Sequence, residues 1–303
     1  MSAFLQYTLS GIISGSIYAL IALGFTIIYK STNIINFAQG EFVVLGGLLA
    51  VFFSERLHLP LVLNILFSVA IVGCISFLLE FAAIRPCKKK NANLLTLIIV
   101  TIGAAILLRG LSMAIFWKDP GKRFPPFTSN ATINIGGAYI ITQDIWIFAV
   151  TLVTLLLVMI FFEHTITGKS MRACASHKKA AQLMGINVEK MTSMTFILSG
   201  ILGAVAGIVI TPKLGMSYDS GVYWGIKGFC AAVLGSMGNL MGAVICGIFL
   251  GLIEAYVTGY GDVATLHLIQ VSNYRELIVI FLMLVVLLVK PAGLFAGKET
   301  SRV

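Results

Sequence analysis

The sequence predicts an all-α, polytopic integral membrane protein with eight or nine transmembrane helices, one of them a broken pair. Three observations support this fold class: 58% of the 303 residues are hydrophobic, only 11% are charged, and the apolar residues form long runs. A soluble domain carries roughly 25% charged residues, so this chain has too few to cover a surface that faces water. At about 20 apolar residues per span, the hydrophobic content suffices for at most eight or nine spans.

Eight apolar runs follow one another along the chain, and seven of them have the length of one span. They cover about residues 7–29, 34–53, 59–83, 94–117, 145–163, 193–212, 227–257 and 275–290. The first run is too long for a signal-peptide core and has no basic segment before it, so we expect a retained helix. The run 227–257 is interrupted by Gly235, Gly238 and Gly242, so it is either one kinked span or two short helices.

Basic residues predict how the spans are oriented. Lys and Arg concentrate between the third and fourth runs and between the fifth and sixth runs. Because cytoplasmic loops carry an excess of Lys and Arg, both loops are expected in the cytoplasm and the N-terminus outside. Two helices within 227–257 also place the tail with Lys290, Lys298 and Arg302 in the cytoplasm. This arrangement places a larger excess of Lys and Arg in the cytoplasm than a single kinked span does, so the broken pair is favoured. Interrupted helices of this kind often lie beside a substrate path.

Several classes of function are excluded by composition and spacing. A net charge of +9 would indicate nucleic acid in a soluble protein, but here it reports topology, so no nucleic-acid partner is expected. The five cysteines contain no Cys-x-x-Cys pair and no His at ligand spacing, so neither a disulfide framework nor a metal site is indicated. Gly168-Lys169-Ser170 resembles the end of a phosphate-binding loop, but Glu163 stands where that pattern requires glycine. We therefore expect no enzyme activity, no nucleotide site and no cofactor.

Three of the charged residues within the apolar runs are informative, because a charge inside the membrane costs about 2.5–3.5 kcal/mol and calls for a partner or a wet cavity. They are Glu41, Arg109 and Glu254. We expect Arg109 to pair with Glu41 or with Glu254. Glu80 lies near a cytoplasmic end, where contact with water at the level of the lipid headgroups is a sufficient explanation.

Amide side chains precede Glu41 at the start of the second run. Asn33, Asn36 and Gln39 or Gly40 are expected to share one face of a helix. Amides and a carboxylate there would hydrogen-bond a passing zwitterion, with Gly40 leaving room beside the backbone. Alternatively, the amides join membrane helices to each other, at about 0.6 kcal/mol each.

Small residues recur every fourth position in three stripes that permit close helix packing. The stripes are Gly11, Gly15 and Ala19; Ala243, Gly247, Gly251 and Ala255; and Gly203 with Gly207. Each stripe packs either within this chain or against a partner.

The basic loop 164–192 is too long for a plain turn. It contains an Ala-rich segment predicted as one short helix that ends at Gly185, with Ala173, His177, Ala180 and Met184 on one face. Such a face suits docking into a groove of a soluble partner. A basic helix on anionic lipid is the alternative, and composition alone does not decide between them.

Six separated motifs, in order, carry a resemblance to a known family. They are Gly15–Gly24, Asn36–Glu41, Gly168–Ala173, Ala180–Asn187, Lys227–Gly235 and Lys290–Phe295. Together they resemble the permease subunits of branched-chain amino-acid ATP-binding-cassette (ABC) importers, of the LivH type. The likeness extends along nearly the whole chain.

The resemblance implies one permease domain, residues 1–303, in the bacterial cytoplasmic membrane. Its implied partners are a second permease, two cytoplasmic ATPases and an external binding protein that delivers Leu, Ile or Val for alternating access. It also makes the loop 164–192 the segment that contacts the ATPase. The implied coupling residues are Arg172, Ala173, His177, Ala180, Ala181, Met184 and Gly185.

The sequence departs from the family pattern at Ser236, Asn239 and His177. A permease for another small amino acid or an amide is the alternative substrate assignment. The competing class is a secondary transporter driven by an ion gradient through Glu41, Glu254 and Arg109.

Overall fold

The computed structural model describes residues 2–90, 92–116, 121–129, 131–135, 137–264 and 274–295. Within these ranges the chain is mostly helical. The helices are α1 Ser2–Thr32, α2 Gln39–Glu55, α3 Leu61–Leu79, α4 Arg85–Lys89, α5 Leu94–Phe116, α6 Thr142–His164, α7 Ile166–Ser176, α8 Lys178–Leu183, α9 Val188–Leu214, α10 Ser220–Leu234, α11 Leu240–Ala264 and α12 Arg275–Val289. A π-helical turn, Glu80–Ile84, joins α3 to α4.

The predicted fold class is confirmed: the chain is an α-helical, multi-pass membrane protein. In the described ranges, six helical segments are long and apolar enough to cross a membrane: α1, α3 continued through α4, α5, α6, α9 and α11. The helices α2, α10 and α12 are shorter, with 17, 15 and 15 residues. The total of eight or nine spans therefore stays a prediction.

The first helix, α1, packs along α11 through small residues on both helices. A Cβ added at Gly15 would lie 2.5 Å from the Cα of Ile248, and one added at Gly247 would lie 2.7 Å from the Cα of Ala19. A Cβ at Gly203 would lie 2.8 Å from Phe42 Cβ on α2. The stripes thus pack within this chain, where missing side chains allow the backbones to approach.

The run 227–257 is divided into two helices, as favoured from the loop charges. The break lies at residues 235–239, where Ser236 and Gly238 have φ of 67° and 97°. Asn239 Oδ1 then accepts a hydrogen bond from Gly242 N, which caps the start of α11. Two details of the expectation were wrong: Gly242 lies inside α11, and α11 is a full-length helix of 25 residues. Of the basic tail, Lys298 and Arg302 lie outside the described residues.

A small β-hairpin was not predicted. Strands β1 Thr132–Ile135 and β2 Ala138–Ile141 pair in antiparallel fashion between α5 and α6. Gln6 on α1 holds the hairpin, because its side-chain amide donates to Tyr139 O at 3.1 Å and accepts from Tyr139 N at 2.7 Å.

Glu80 is not explained by contact with headgroup-level water, as the sequence suggested. Its side chain is only 1% exposed, and it forms an ion pair with Arg85 at 3.2 Å. Ser193 Oγ also donates to Glu80 Oε2 at 2.6 Å, so the carboxylate ties the end of α3 to α9. Burial inside the bundle requires such partners for a charge.

Candidate functional site

The segment between α1 and α2 is not helical, so the predicted amide face was wrong. Asn33 has φ of 56°, and residues 34–36 have no regular structure. Asn36 Oδ1 accepts a hydrogen bond from Ala38 N at 3.1 Å. This local side-chain bond competes with the helical backbone pattern, and α2 begins only at Gln39.

Gln39 binds three helices together deep in the bundle. Its amide nitrogen donates to Ser199 O at 3.1 Å, and Ser199 Oγ lies 2.5 Å from Gln39 Oε1 and 3.0 Å from Gly24 O. Ser199 lies 11 residues after the start of α9 and 15 before its end, which corresponds to about 16 Å and 22 Å of helix. The second helix therefore begins near the middle of the α9 span.

Glu41 lies in the first turn of α2 and is only 3% exposed. Its carboxylate packs against Gly221, where an added Cβ would lie 2.5 Å from Glu41 Cδ. Gly40 allows this approach, since a Cβ there would lie 3.0 Å from the Cα of Gly225. Gly221 is in the first turn of α10, so the positive N-terminal ends of two helices converge on this carboxylate.

Glu41 and Arg109 line one cavity of about 220 Å³ between α1, α2, α5 and α10. Much of the remaining wall is apolar and includes Phe25, Phe37, Ile102, Ile106, Ile226 and Phe229. Glu41 Oε2 is buried and has no hydrogen-bond partner in the described part of the chain. The expected ion pair between Glu41 and Arg109 is not formed among the described residues, although both side chains face the same space.

Glu254 pairs with a lysine that the sequence analysis did not treat as an intramembrane charge. Lys227 Nζ lies 2.6 Å from Glu254 Oε1, and it also donates to the hydroxyls of Tyr223 at 2.7 Å and Tyr18 at 3.0 Å. Tyr18 in turn donates to Glu254 Oε2 at 2.7 Å. The expected pairing of Arg109 with Glu254 was therefore wrong.

Lys227 was missed because it was placed at the boundary of an apolar run. Its helix, α10, begins seven residues earlier, at Ser220, so Lys227 lies in the middle of the helix. Its side chain is 2% exposed. Tyr223, four residues before Lys227 and on the same helix face, was the one local sign of a buried cation.

The loop 164–192 forms two short helices instead of the one that was predicted. The first, α7, ends at Ser176, and α8 begins at Lys178, because His177 has extended φ and ψ of −148° and 91°. His177 N donates to Ala173 O and ends the first helix, while His177 O accepts from Ala181 N and starts the second. The residues expected on one helix face are thus divided between two helices.

The predicted coupling residues differ in exposure. Ala173, His177, Ala180 and Met184 are exposed, and Arg172 is half-buried. Ala181 is only 4% exposed and packs inward, which was not expected. Leu183, which the sequence analysis did not single out, is 89% exposed beside Met184 at 82%.

Gly185 ends α8, as predicted, and it does so in the left-handed conformation, at φ of 81°. Gly185 N donates to Gln182 O, and Ile186 N donates to Ala181 O, both at 3.0 Å. This pair of bonds is the Schellman motif, which returns the chain against the helix it ends.

The helix bundle, the mid-span start of α2 and the cavity lined by Glu41 and Arg109 indicate the class: a polytopic membrane transport protein. A family model described as "Branched-chain amino acid transport system / permease component" matches residues 7–288. The chain belongs to this family of permeases and is an integral protein of the cytoplasmic membrane.

Relatives resemble the chain along nearly its whole length. It is 30% identical to the high-affinity branched-chain amino acid transport system permease protein BraD of Pseudomonas aeruginosa, over 99% of this chain and 98% of BraD. The corresponding LivH protein of Escherichia coli K12 is also 30% identical, with the same coverage of both chains. The probable branched-chain amino acid transport permease protein LivH of Methanocaldococcus jannaschii is 30% identical over 93% of this chain and 90% of that protein.

Proposed function

We propose that this chain is a transmembrane permease subunit of an ABC importer for the branched-chain amino acids Leu, Ile and Val. The observation that carries the proposal is its similarity, over 99% of the chain, to permeases named for branched-chain amino acid transport. Residues 1–303 form a single permease domain. The chain works by alternating access with a second permease, two cytoplasmic ATPases and an external amino-acid-binding protein.

The substrate path includes the surroundings of α2. Gly40 and Glu41 contribute directly, because Glu41 lines the cavity and Gly40 lets α2 approach α10. Asn33, Asn36 and Gln39 act on the same path by holding the non-helical segment and the start of α2 deep in the bundle. A path of this kind is supported by the general use of interrupted helices, whose free ends face the substrate in transporters.

The coupling segment 164–192 transmits ATPase motion to the bundle. Its free apolar side chains, Leu183 and Met184, suit a groove on the ATPase better than water. Its connection to the bundle is short: Gly168 packs on α6, where an added Cβ would lie 2.7 Å from Phe162 Cα. A displacement of α7 and α8 would therefore reach α6 directly.

The test is transport by the purified complex. The chain is isolated with its native partners, identified by mass spectrometry, and reconstituted into liposomes with ATP on the ATPase side. Leucine together with its binding protein should stimulate ATP hydrolysis and accumulate across the membrane, while leucine alone should do neither.

Two outcomes would contradict the proposal. Leucine accumulation by the purified chain alone under an ion gradient would establish the secondary transporter instead. Stimulation by another amino acid or an amide, without any by Leu, Ile or Val, would overturn the substrate assignment and leave the ABC mechanism in place.

A further inference from the structure

We infer that the cavity lined by Glu41 and Arg109 is a transit site for a zwitterionic amino acid, with Glu41 binding the ammonium group and Arg109 the carboxylate. This inference rests on the proposed function and assigns the substrate contacts within it. The cavity brings together three chemical features: a carboxylate, a guanidinium and an apolar wall. An α-amino acid with an aliphatic side chain has the complement of each.

The carboxylate of Glu41 is built to receive a cation. It is 3% exposed, and its Oε2 is buried with no hydrogen-bond partner among the described residues. A buried polar atom of this kind calls for a partner, and a charged one does so most strongly. The absence of side chains at Gly40 and Gly221 brings α2 and α10 together around it. An ammonium group supplies up to three N–H donors to such an acceptor.

Arg109 offers the opposite charge on the wall formed by α5. In the described ranges its side chain has no hydrogen bond and no ion pair, and yet it shares the cavity with Glu41. A guanidinium binds a carboxylate in a bidentate manner, with two parallel N–H donors. Holding the two charges apart across a cavity leaves both available for a substrate.

The size and lining of the cavity match an aliphatic amino acid. Its volume of about 220 Å³ lies below the roughly 300–1,000 Å³ of pockets for drug-sized ligands. Phe25, Phe37 and Phe229 provide an apolar surface for a branched side chain. Because the charges recognise only the α-amino and carboxyl groups, this site accepts Leu, Ile and Val alike.

The first experiment measures leucine transported per ATP hydrolysed in liposomes that contain the complete complex and binding protein. Glu41→Gln and Arg109→Gln should each lower this ratio by about tenfold or more, the effect of losing a hydrogen bond to a charged group. Glu276→Gln and Arg123→Gln are the matched controls. Both side chains are exposed, and the two substitutions remove the same charges at positions outside the cavity. Their ratios should equal that of the unmodified complex.

A second measurement assigns each end of the ligand, using thermal protection of the permease–ATPase complex without binding protein. The probes are leucine, leucinamide with its amine protonated, which lacks the carboxylate, and 4-methylpentanoate, which lacks the ammonium. Leucine should protect the unmodified complex best. In Arg109→Gln, leucine should protect the complex no better than leucinamide, but still better than 4-methylpentanoate. In Glu41→Gln, leucine should protect no better than 4-methylpentanoate, but still better than leucinamide.

Gly225→Leu provides a variant that keeps both charges. Gly225 lines the cavity, and a Cβ there lies at an ordinary 3.5 Å from the Gly40 Cα, so we expect a leucine side chain to occupy part of the cavity. It should lower the transport ratio in an assembled complex, even if a charge variant fails to assemble. An unchanged ratio in this variant, or in both charge variants, overturns the inference. If the unmodified complex moves no leucine at all, the proposed function itself has failed.

Discussion

The Lys227 ammonium and the Glu254 carboxylate lie 2.6 Å apart and join α10 to α11, the two helices on either side of the break at residues 235–239. Both side chains are buried, at 2% and 8% exposure. Tyr18 from α1 contacts both charges, so three helices meet at one ion pair. Because the chain is not helical at the break, the ion pair helps to fix the position of α10 relative to α11.

Lys227→Met should destabilise the chain strongly, because it removes the ammonium group that pairs with the Glu254 carboxylate. Removing one partner of a buried ion pair costs about 3–5 kcal/mol. The midpoint of thermal unfolding in detergent should fall clearly, and Lys290→Met, at an exposed lysine, should leave it unchanged. The double variant Lys227→Met, Glu254→Gln should be more stable than Lys227→Met alone. Equal stability of the two would show that the ion pair is energetically unimportant.

Gln39→Leu should act on assembly. The substitution removes the two hydrogen bonds between Gln39 and Ser199, and a hydrogen bond of this kind contributes about 0.5–1.5 kcal/mol. The melting midpoint should fall, and leucine uptake should fall only in proportion to the amount of assembled complex. Gln6→Leu is the control, since its exposed bonds to Tyr139 are replaced by water. Reduced uptake per assembled complex would instead show that α2 is misplaced in the assembled bundle or that Gln39 contacts the substrate.

The fold class was predictable because a bilayer requires long apolar helices that satisfy their own backbone hydrogen bonds. The lengths of the apolar runs in the sequence show this directly. The sequence carries no comparable signal for contacts between segments that are far apart along the chain. Lys227 and Glu254 are 27 residues apart, and nothing in the run between them identifies them as partners. The pairing of Arg109 with Glu41 or with Glu254 was a choice among charges by sequence position, and in the structure Glu254 pairs with Lys227.

Local breaks in helices were the second source of error. Asn36 and His177 were both assigned to continuous helices from side-chain periodicity. Asn36 bonds the backbone two residues later, an alternative to the helix that Asn commonly adopts and that the sequence could have suggested. His177 has no comparable local signal, and its extended backbone separates α7 from α8. The helix end at Gly185 was predicted correctly, because glycine readily adopts the left-handed conformation that ends a helix.

Gly15→Ala should weaken the contact between α1 and α11. Its added Cβ would lie 2.5 Å from the Cα of Ile248, and a backbone atom gives way only if a helix moves. Such overpacking costs about 1–3 kcal/mol and should lower the melting midpoint. Gly103→Ala on α5 is the matched control, because no described atom lies within 4 Å of its Cβ. That variant should be neutral or stabilising by up to about 1 kcal/mol, through better helix propensity.

Leu183→Asp should reduce the amount of ATPase that co-purifies with the chain. The side chain is 89% exposed, so the substitution does not disturb the fold, but it places a charge on the proposed docking surface. Leu183→Met keeps an apolar side chain and should retain the ATPase. Ala181 belongs to the same implied coupling set but is buried, so a bulky substitution there would disturb the packing of α8 as well. Full recovery of the ATPase with Leu183→Asp would exclude this residue from the contact.

Gly185→Val should uncouple the ATPase while leaving the membrane helices intact. The φ of 81° at Gly185 is a left-handed conformation that costs most L-residues about 1–2 kcal/mol, and a β-branched side chain fits it poorly. No described atom lies within 4 Å of an added Cβ, so any effect arises from the backbone and not from a steric clash. Gly185→Asn separates backbone strain from the effect of an added side chain, because Asn adds a side chain but tolerates the left-handed region. We expect Gly185→Val to insert normally yet lose the ATPase or the stimulation of ATP hydrolysis by leucine, and Gly185→Asn to retain both. If Gly185→Val keeps its ATPase and its leucine uptake, the segment 164–192 is not the coupling element.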